Sequence, residues 1–211
     1  MAIFLAKLAL AYLLGSLSGS LLVGRLRGLD IRQHGSGNAG GTNALRVAGW
    51  RFALAVVLID VGKGALAAAL GAWSTGLAFG SGIDPGIQMA ACGFAAVLGH
   101  CWPVFFGFRG GKGAGTAVGA VLVLAPPIAL VMFIVWILAI AFWRYVGLAT
   151  VIAATAFPLA VLASAAFGIA APRGLLVFAI AIALLVAYTH RGNLRRMREH
   201  REPRIGGGPA A

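Results

Sequence analysis

The sequence predicts an all-α polytopic membrane protein of about seven transmembrane helices, with its N-terminus outside and its C-terminus in the cytoplasm. Three observations predict it. Of 211 residues, 61% are hydrophobic and 10% charged, with a mean hydropathy of +0.95; a soluble domain is nearer half apolar and a quarter charged. Apolar runs of spanning length recur along the chain. The 17 Lys and Arg residues, against five Asp and Glu, gather in connections that alternate with non-basic ones, and basic connections stay cytoplasmic. The formal net charge of +12 therefore reads as loops that face anionic membrane lipid or phosphate, with no nucleic acid implied.

The first run covers about residues 3–24 and is read as a retained span, since no cleavage site follows it. Gly15, Ser16, Ser18, Gly19 and Ser20 cluster in its second half, where small residues let helices approach closely. A basic loop with Arg25, Arg27 and Arg32 follows, then a glycine-rich stretch and Arg51. The second run, about 52–73, carries Asp60 and Lys63 three residues apart on one helix face, as a pair turned to the bundle interior. Such a pair either supports a polar site or neutralises itself in packing. Residues 74–86 hold no Lys or Arg, as expected outside. Lys7 and Arg173 are also placed outside.

The third run spans about 87–107. The next apolar stretch, Ala114 to Trp143, is long for one span and holds Pro126-Pro127 near its middle. Reading it as two helices with a tight turn at the prolines puts Arg144 and the basic C-terminus on the side of the first basic loop. Runs at about 146–168 and 174–189 complete the set. The chain through residue 205 reads as a single transmembrane domain, and 206–211 as a disordered tail. Cys92 and Cys101 show no CxxC or Cys/His spacing, so no disulfide, metal or other cofactor is expected.

Three polar motifs fall on the cytoplasmic face of this topology. The first, Gly35 to Arg46, reads GSGNAGGTNALR. Glycine-freed amides, small hydroxyls, side-chain amides and an arginine are what a cluster of anionic oxygens needs. A plain turn would need glycine or Asn but not the whole set. The second runs from Gly99-His100-Cys101-Trp102-Pro103 to Arg109-Gly110-Gly111-Lys112-Gly113, and its glycines precede an apolar helix whose amides could face an anion. The third is His190-Arg191-Gly192-Asn193-Leu194. Two apparent motifs fail: Gly35 to Gly40 fits GxGxxG but lacks a βαβ setting, and Gly110 to Gly113 lacks the first glycine and the Ser/Thr of a P-loop.

In this order, and with Asp60-Val61-Gly62-Lys63-Gly64 between the first two, the motifs resemble those of the PlsY family over nearly the whole chain. These are membrane-embedded bacterial acyltransferases that acylate glycerol-3-phosphate from acyl phosphate. The resemblance implies the reaction: acyl phosphate and glycerol-3-phosphate enter, and 1-acyl-glycerol-3-phosphate (lysophosphatidic acid) leaves. It also implies a site lined by Ser36, Asn38, Arg46, His100, Arg109, Lys112, His190 and Asn193. Ser36, His100, His190 and Asn193 are the catalytic candidates. Gly37, Asn38, Thr42, Asn43, Arg46, Arg109, Gly110, Gly111, Lys112 and Gly113 are the phosphate-binding candidates. Asn43 and Asn193 are expected to orient the reacting oxygens. No His-xxxx-Asp pair, the device of many glycerolipid acyltransferases, occurs.

The donor has an independent argument. Asp84 is placed outside, Glu199 and Glu202 lie in the tail, Asp60 faces Lys63, and Asp30 sits among arginines. With no evident carboxylate base and no serine or cysteine in a nucleophile motif, an acyl phosphate suits the site. Its phosphate is a good leaving group that bound cations stabilise. Direct single-step transfer follows. The alternative is a transporter or exchanger of a phosphorylated solute, which would place its polar groups nearer the midplane in paired broken helices. Here the motifs sit at one end, without internal repeat.

Overall fold

The computed structural model describes residues 1–73 and 82–206. All regular structure among them is helical. The chain forms two compact units: one of residues 1–124 with 172–174, the other of 125–171 with 175–211.

The first unit contains α1 (Ala2–Gly15), α2 (Gly19–Arg25), α3 (Gly41–Ala72), α4 (Pro85–Cys101) and α5 (Ala114–Leu124). The α3 helix lies against α4 and α5, and α1 against α4. Glycines make these seams. A Cβ on Gly15 would lie 2.1 Å from Ala96 O, and one on Gly99 2.2 Å from Tyr12 O. One on Gly64 would lie 2.0 Å from Thr116 O. Backbone meets backbone at each, the contact that small residues permit between membrane helices.

The first apolar run is not one helix. It bends by 51° between α1 and α2, across Ser16 to Ser18. A break at this depth would strand backbone groups away from water. Here Asp60 Oδ1 accepts from Gly19 N at 3.1 Å, and Lys63 Nζ donates to Leu17 O at 3.1 Å. The carboxylate thus meets the positive start of α2 and the ammonium the negative end of α1.

The α3 helix begins about eleven residues before the expected second run, so Thr42, Asn43 and Arg46 are helical rather than in a loop. It is interrupted at Gly49, with φ 79° and ψ 178°, a conformation essentially confined to glycine. The remainder, from residue 50, matches the expected span. Asp84 caps α4 by accepting from Gly86 N at 2.8 Å, with Pro85 in the first turn. The helix stops at Cys101 because Pro103 drives Trp102 out of helical conformation. Lys7, expected outside, is instead buried and donates to Gly71 O and Gln88 Oε1. In α1 its side chain reaches the ends of α3 and α4, and such partners offset the cost of an intramembrane charge.

The second unit contains α6 (Pro126–Trp143), α7 (Val146–Ala166), α8 (Leu175–Thr189) and α9 (Arg191–Arg198). The apolar run at Ala114–Trp143 does divide, at Ala125. Phe157 and Phe178 meet edge to face between α7 and α8, and Trp136 Nε1 donates to Thr150 Oγ1 between α6 and α7. The basic C-terminal segment folds back: Ile205 N donates to Arg144 O, and Arg144 Nη2 to Ile205 O.

Helices α3, α4 (taken through the turn to Phe106), α6 and α7 are long and apolar enough to cross a membrane. If each of the bent pairs α1–α2 and α8–α9 is one span, the number among the described residues is six. The seventh expected span, α5, has 11 residues and rises only about 16 Å. The protein is thus an all-helical, multi-pass membrane protein. Residues 74–81 of the basic-free stretch 74–86, and all of the expected tail except Gly206, lie outside the described residues.

Candidate active site

The first and second motifs lie in the first unit, where their loops meet. The first loop is built around Asn43, whose side chain is 1% exposed. Its Nδ2 donates to Ile31 O and His34 O, and its Oδ1 accepts from Ser36 N at 2.9 Å. Both donors and the carbonyl oxygen are engaged with backbone. Asn43, expected to orient a reacting oxygen, therefore holds the loop instead. Gly35 and Gly37 adopt φ 60° and 70°, and a Cβ on Gly35 would lie 2.3 Å from Asn43 Oδ1. Beneath the loop Ile31, Ala39, Ala44, Phe52, Val56 and Phe106 form an apolar cluster. Ser36, Gly37 and Arg46 stay exposed above it, with Asn38 and Thr42 half-buried.

The second loop reverses the chain after α4. Phe106 N and Phe108 N both donate to Pro103 O, and Gly107 and Phe108 take left-handed φ of 66° and 58°. Gly110 N then donates to Cys101 O and Gly111 N to His100 O. These amides were expected to face an anion. They are spent on the last carbonyls of α4, groups that a helix end leaves unpaired. Gly113, at φ 85°, packs on the same helix, where a Cβ would lie 2.7 Å from Val97 Cγ1. The side chains flanking these glycines are an exposed Arg109 and a half-buried Lys112.

Two residues that sequence reasoning left out join the loops. Arg32 Nη1 donates to Phe106 O at 3.0 Å and Arg109 O at 3.2 Å. Its Nε and Nη2 donate to Asp30, which also accepts from Arg32 N. The Arg32 hydrogen bond holds the Asp30 carboxyl below its ordinary range, and the same bond raises Arg32. An Asp-x-Arg immediately ahead of a glycine-rich motif was the available signal, but it read as ordinary positive-inside charge. At a second contact, a Cβ on Gly111 would lie 2.8 Å from Ala39 O.

His100 is 3% exposed and lies below this surface. Its Nδ1 is 2.9 Å from Lys63 Nζ and 3.3 Å from Asp60 Oδ1, and Lys63 Nζ lies 2.9 Å from the same carboxylate oxygen. The sequence spacing found the Asp60–Lys63 pair but not the histidine that completes it. Its Nδ1 is thus engaged with the ion pair, and its Nε2 edge faces the Gly111 backbone.

The third motif lies in the second unit, at the junction of α8 and α9. His190 is buried and its Nδ1–H donates to Val186 O at 2.9 Å. Asn193 Nδ2 donates to Glu202 Oε1 at 2.6 Å, and Arg196 Nε donates to Glu202 Oε2 at 2.8 Å. Glu202, which sequence reasoning set aside as a tail residue, is buried and ties the motif to the C-terminal segment.

A protein-family model described as glycerol-3-phosphate acyltransferase matches residues 5–200. Among curated relatives, the glycerol-3-phosphate acyltransferase of Chlorobium luteolum is 39% identical, with 98% of each chain covered. That of Jannaschia sp. is 43% identical, covering 93% of this chain and 90% of its own. Two crystal structures of PlsY, an integral membrane glycerol 3-phosphate acyltransferase, are similar at 38% identity over 95% of this chain and 94% of theirs. The TM-score is 0.83 for the glycerol 3-phosphate form and 0.81 for the lysophosphatidic acid form.

Proposed function

The chain belongs to the glycerol-3-phosphate acyltransferase family, and from that premise we propose that it transfers the acyl chain of an acyl phosphate to the 1-hydroxyl of glycerol-3-phosphate. The products are 1-acyl-glycerol-3-phosphate and inorganic phosphate. The enzyme works in the bacterial cytoplasmic membrane with its site on the cytoplasmic side. That boundary suits one substrate with an acyl chain and one that is soluble.

The observation that carries the donor assignment is the engagement of every carboxylate. Asp30 is held by Arg32 and Asp60 by Lys63 and Gly19 N; Asp84 caps α4. Glu199 pairs with Arg195 and Arg201, and Glu202 with Arg196 and Asn193. Cys92 and Cys101 are buried. No acid is left as a general base, and no thiol is exposed as a nucleophile. The chemistry that fits is attack by the 1-hydroxyl oxygen on the acyl carbonyl carbon. The bond from that carbon to the bridging phosphate oxygen breaks in the same passage, and the hydroxyl proton goes to a substrate phosphate oxygen. No acyl-enzyme forms. Arg46, Arg109 and Lys112, with Ser36 and Asn38, bind the two phosphates and stabilise the charge that develops on the leaving group. The family motif alone assigns His190 and Asn193 to the reaction. The exchanger alternative lacks comparable support, since the family and the relatives carry an acyltransferase description.

Purified enzyme offered palmitoyl phosphate, palmitoyl-CoA and palmitoyl carrier protein in turn should acylate glycerol-3-phosphate from the first. Lys112→Ala should lower that turnover roughly 100-fold or more. Turnover from either other donor with none from palmitoyl phosphate would overturn the donor assignment. A trapped acyl-enzyme would overturn the single step.

A further inference from the structure

We infer that Asp60 and Lys63 are positioning residues for the acylation site, acting through His100 on the loop that carries Arg109 and Lys112. The inference rests on the reading of that loop as a phosphate-binding element.

Lys63 has three N–H groups and three partners: Asp60 Oδ1 at 2.9 Å, Leu17 O at 3.1 Å and His100 Nδ1 at 2.9 Å. Lys63, Asp60 and His100 are all buried, at 3–4% exposure. Capping the break between α1 and α2 accounts for Leu17 O and Gly19 N alone. It does not account for a third ionisable group in the same cluster. Burying such a group in a membrane protein is costly, and such groups mark function more often than packing.

The far edge of the imidazole explains the arrangement. A Cβ on Gly111 would lie 2.1 Å from His100 Nε2, so the ring is packed directly against the Gly111 backbone. The carbonyl of the same histidine accepts from Gly111 N at 3.1 Å. His100 thus grips Gly111 by ring and main chain together, and Lys112 is the next residue. Asp60 and Lys63 fix the ring's rotation, and through it the height and direction of the loop. Phosphate recognition by a lysine and an arginine depends on that placement.

The test uses the full-length enzyme and compares His100→Gln, the double variant Asp60→Asn/Lys63→Gln, and all three changes together. The double variant removes both charges, so it leaves no lone buried ion. KM for glycerol-3-phosphate and for the acyl donor is measured with the donor that the wild type turns over. A wrong donor assignment then shows in the wild type, and a wrong positioning role only in the variants. The expected result is a rise of at least fivefold in KM for one of the two substrates, in both His100→Gln and the double variant. The triple variant should be no worse than the more impaired of them, because the residues act as one unit. KM does not depend on how much protein is folded, so a purely structural role would lower yield and thermal midpoint while leaving KM in place. Should the double variant not accumulate, His100→Gln, which keeps the ion pair, decides alone. Both KM values within twofold of wild type, or losses that multiply in the triple variant, would overturn the inference.

Discussion

At the scale of the residue, the Arg32 guanidinium does more than balance charge at the membrane surface. Its planar fork is divided between the Asp30 carboxylate and two carbonyls of the neighbouring loop. A lysine would keep the charge but cannot reproduce those directions. Arg32→Lys is therefore expected to lower kcat/KM about tenfold. The loss of stability should be only about 1 kcal/mol, because the pair is roughly a third exposed. The pH dependence has a definite sign. The Asp30 carboxyl sits below its ordinary 3.8 in the folded protein, so its contribution is present above that value and lost only as pH falls through the lower folded one. The ratio of wild-type to Arg32→Lys activity should be flat from pH 5 to 8. A ratio that falls toward one within that interval would mean that another group controls the clamp.

At the scale of the element, helix packing in the first unit is set by glycines rather than by large apolar side chains. A Cβ on Gly119 of α5 would lie 1.9 Å from Val61 O and 2.8 Å from Val61 C. Both are backbone atoms of α3, and neither can swing aside. Gly119→Ala should push α3 and α5 apart and cost about 1–3 kcal/mol, read as a lowered thermal midpoint in detergent. Gly62, one residue from Val61, has nothing within 4 Å of its Cβ position. Gly62→Ala should be neutral or slightly stabilising, since alanine is the better helix former. Equal effects from the two substitutions would mean that glycine content, not the seam, matters. A separate glycine contact, where a Cβ on Gly19 would lie 2.9 Å from Val56 O, brings Asp60 beside the break between α1 and α2.

At the scale of the whole molecule, the arrangement of basic segments predicts an orientation that labelling can test. Cysteines placed singly at Ser81 and Gln33, in a background lacking Cys92 and Cys101, test it with a membrane-impermeant maleimide. Position 81 should react from outside intact cells, and position 33 only when the cytoplasmic face is opened. Labelling of position 81 from the cytoplasmic face alone would invert the topology, and with it the side on which the two loops meet. The opposite end of the bundle carries its own buried lysine, Lys7, held by Gly71 O and Gln88 Oε1. Basic residues are therefore not a uniform marker of the cytoplasmic side; a lysine early in a span can be folded into the interior.

The sequence by itself determined the helical class, the division of Ala114–Trp143 at its prolines, the Asp60–Lys63 pair and the polar motifs. Each of these is written in neighbouring residues: apolar length, proline chemistry, helical spacing and glycine with polar side chains. Only the tertiary structure decided what those polar groups do. Asn43 and the amides of Gly110 and Gly111 looked like ligand contacts and are spent on backbone. Arg32 looked like topological charge and is a clamp on a loop more than 70 residues away. His100 looked like a catalytic residue of the site and is buried against the Asp60–Lys63 pair, Lys63 lying 37 residues before it. Local pattern specifies which backbone groups a segment leaves unpaired. Which distant side chain satisfies them depends on how closely the helices pack, and here glycine seams between α1, α3, α4 and α5 bring those partners within hydrogen-bonding distance.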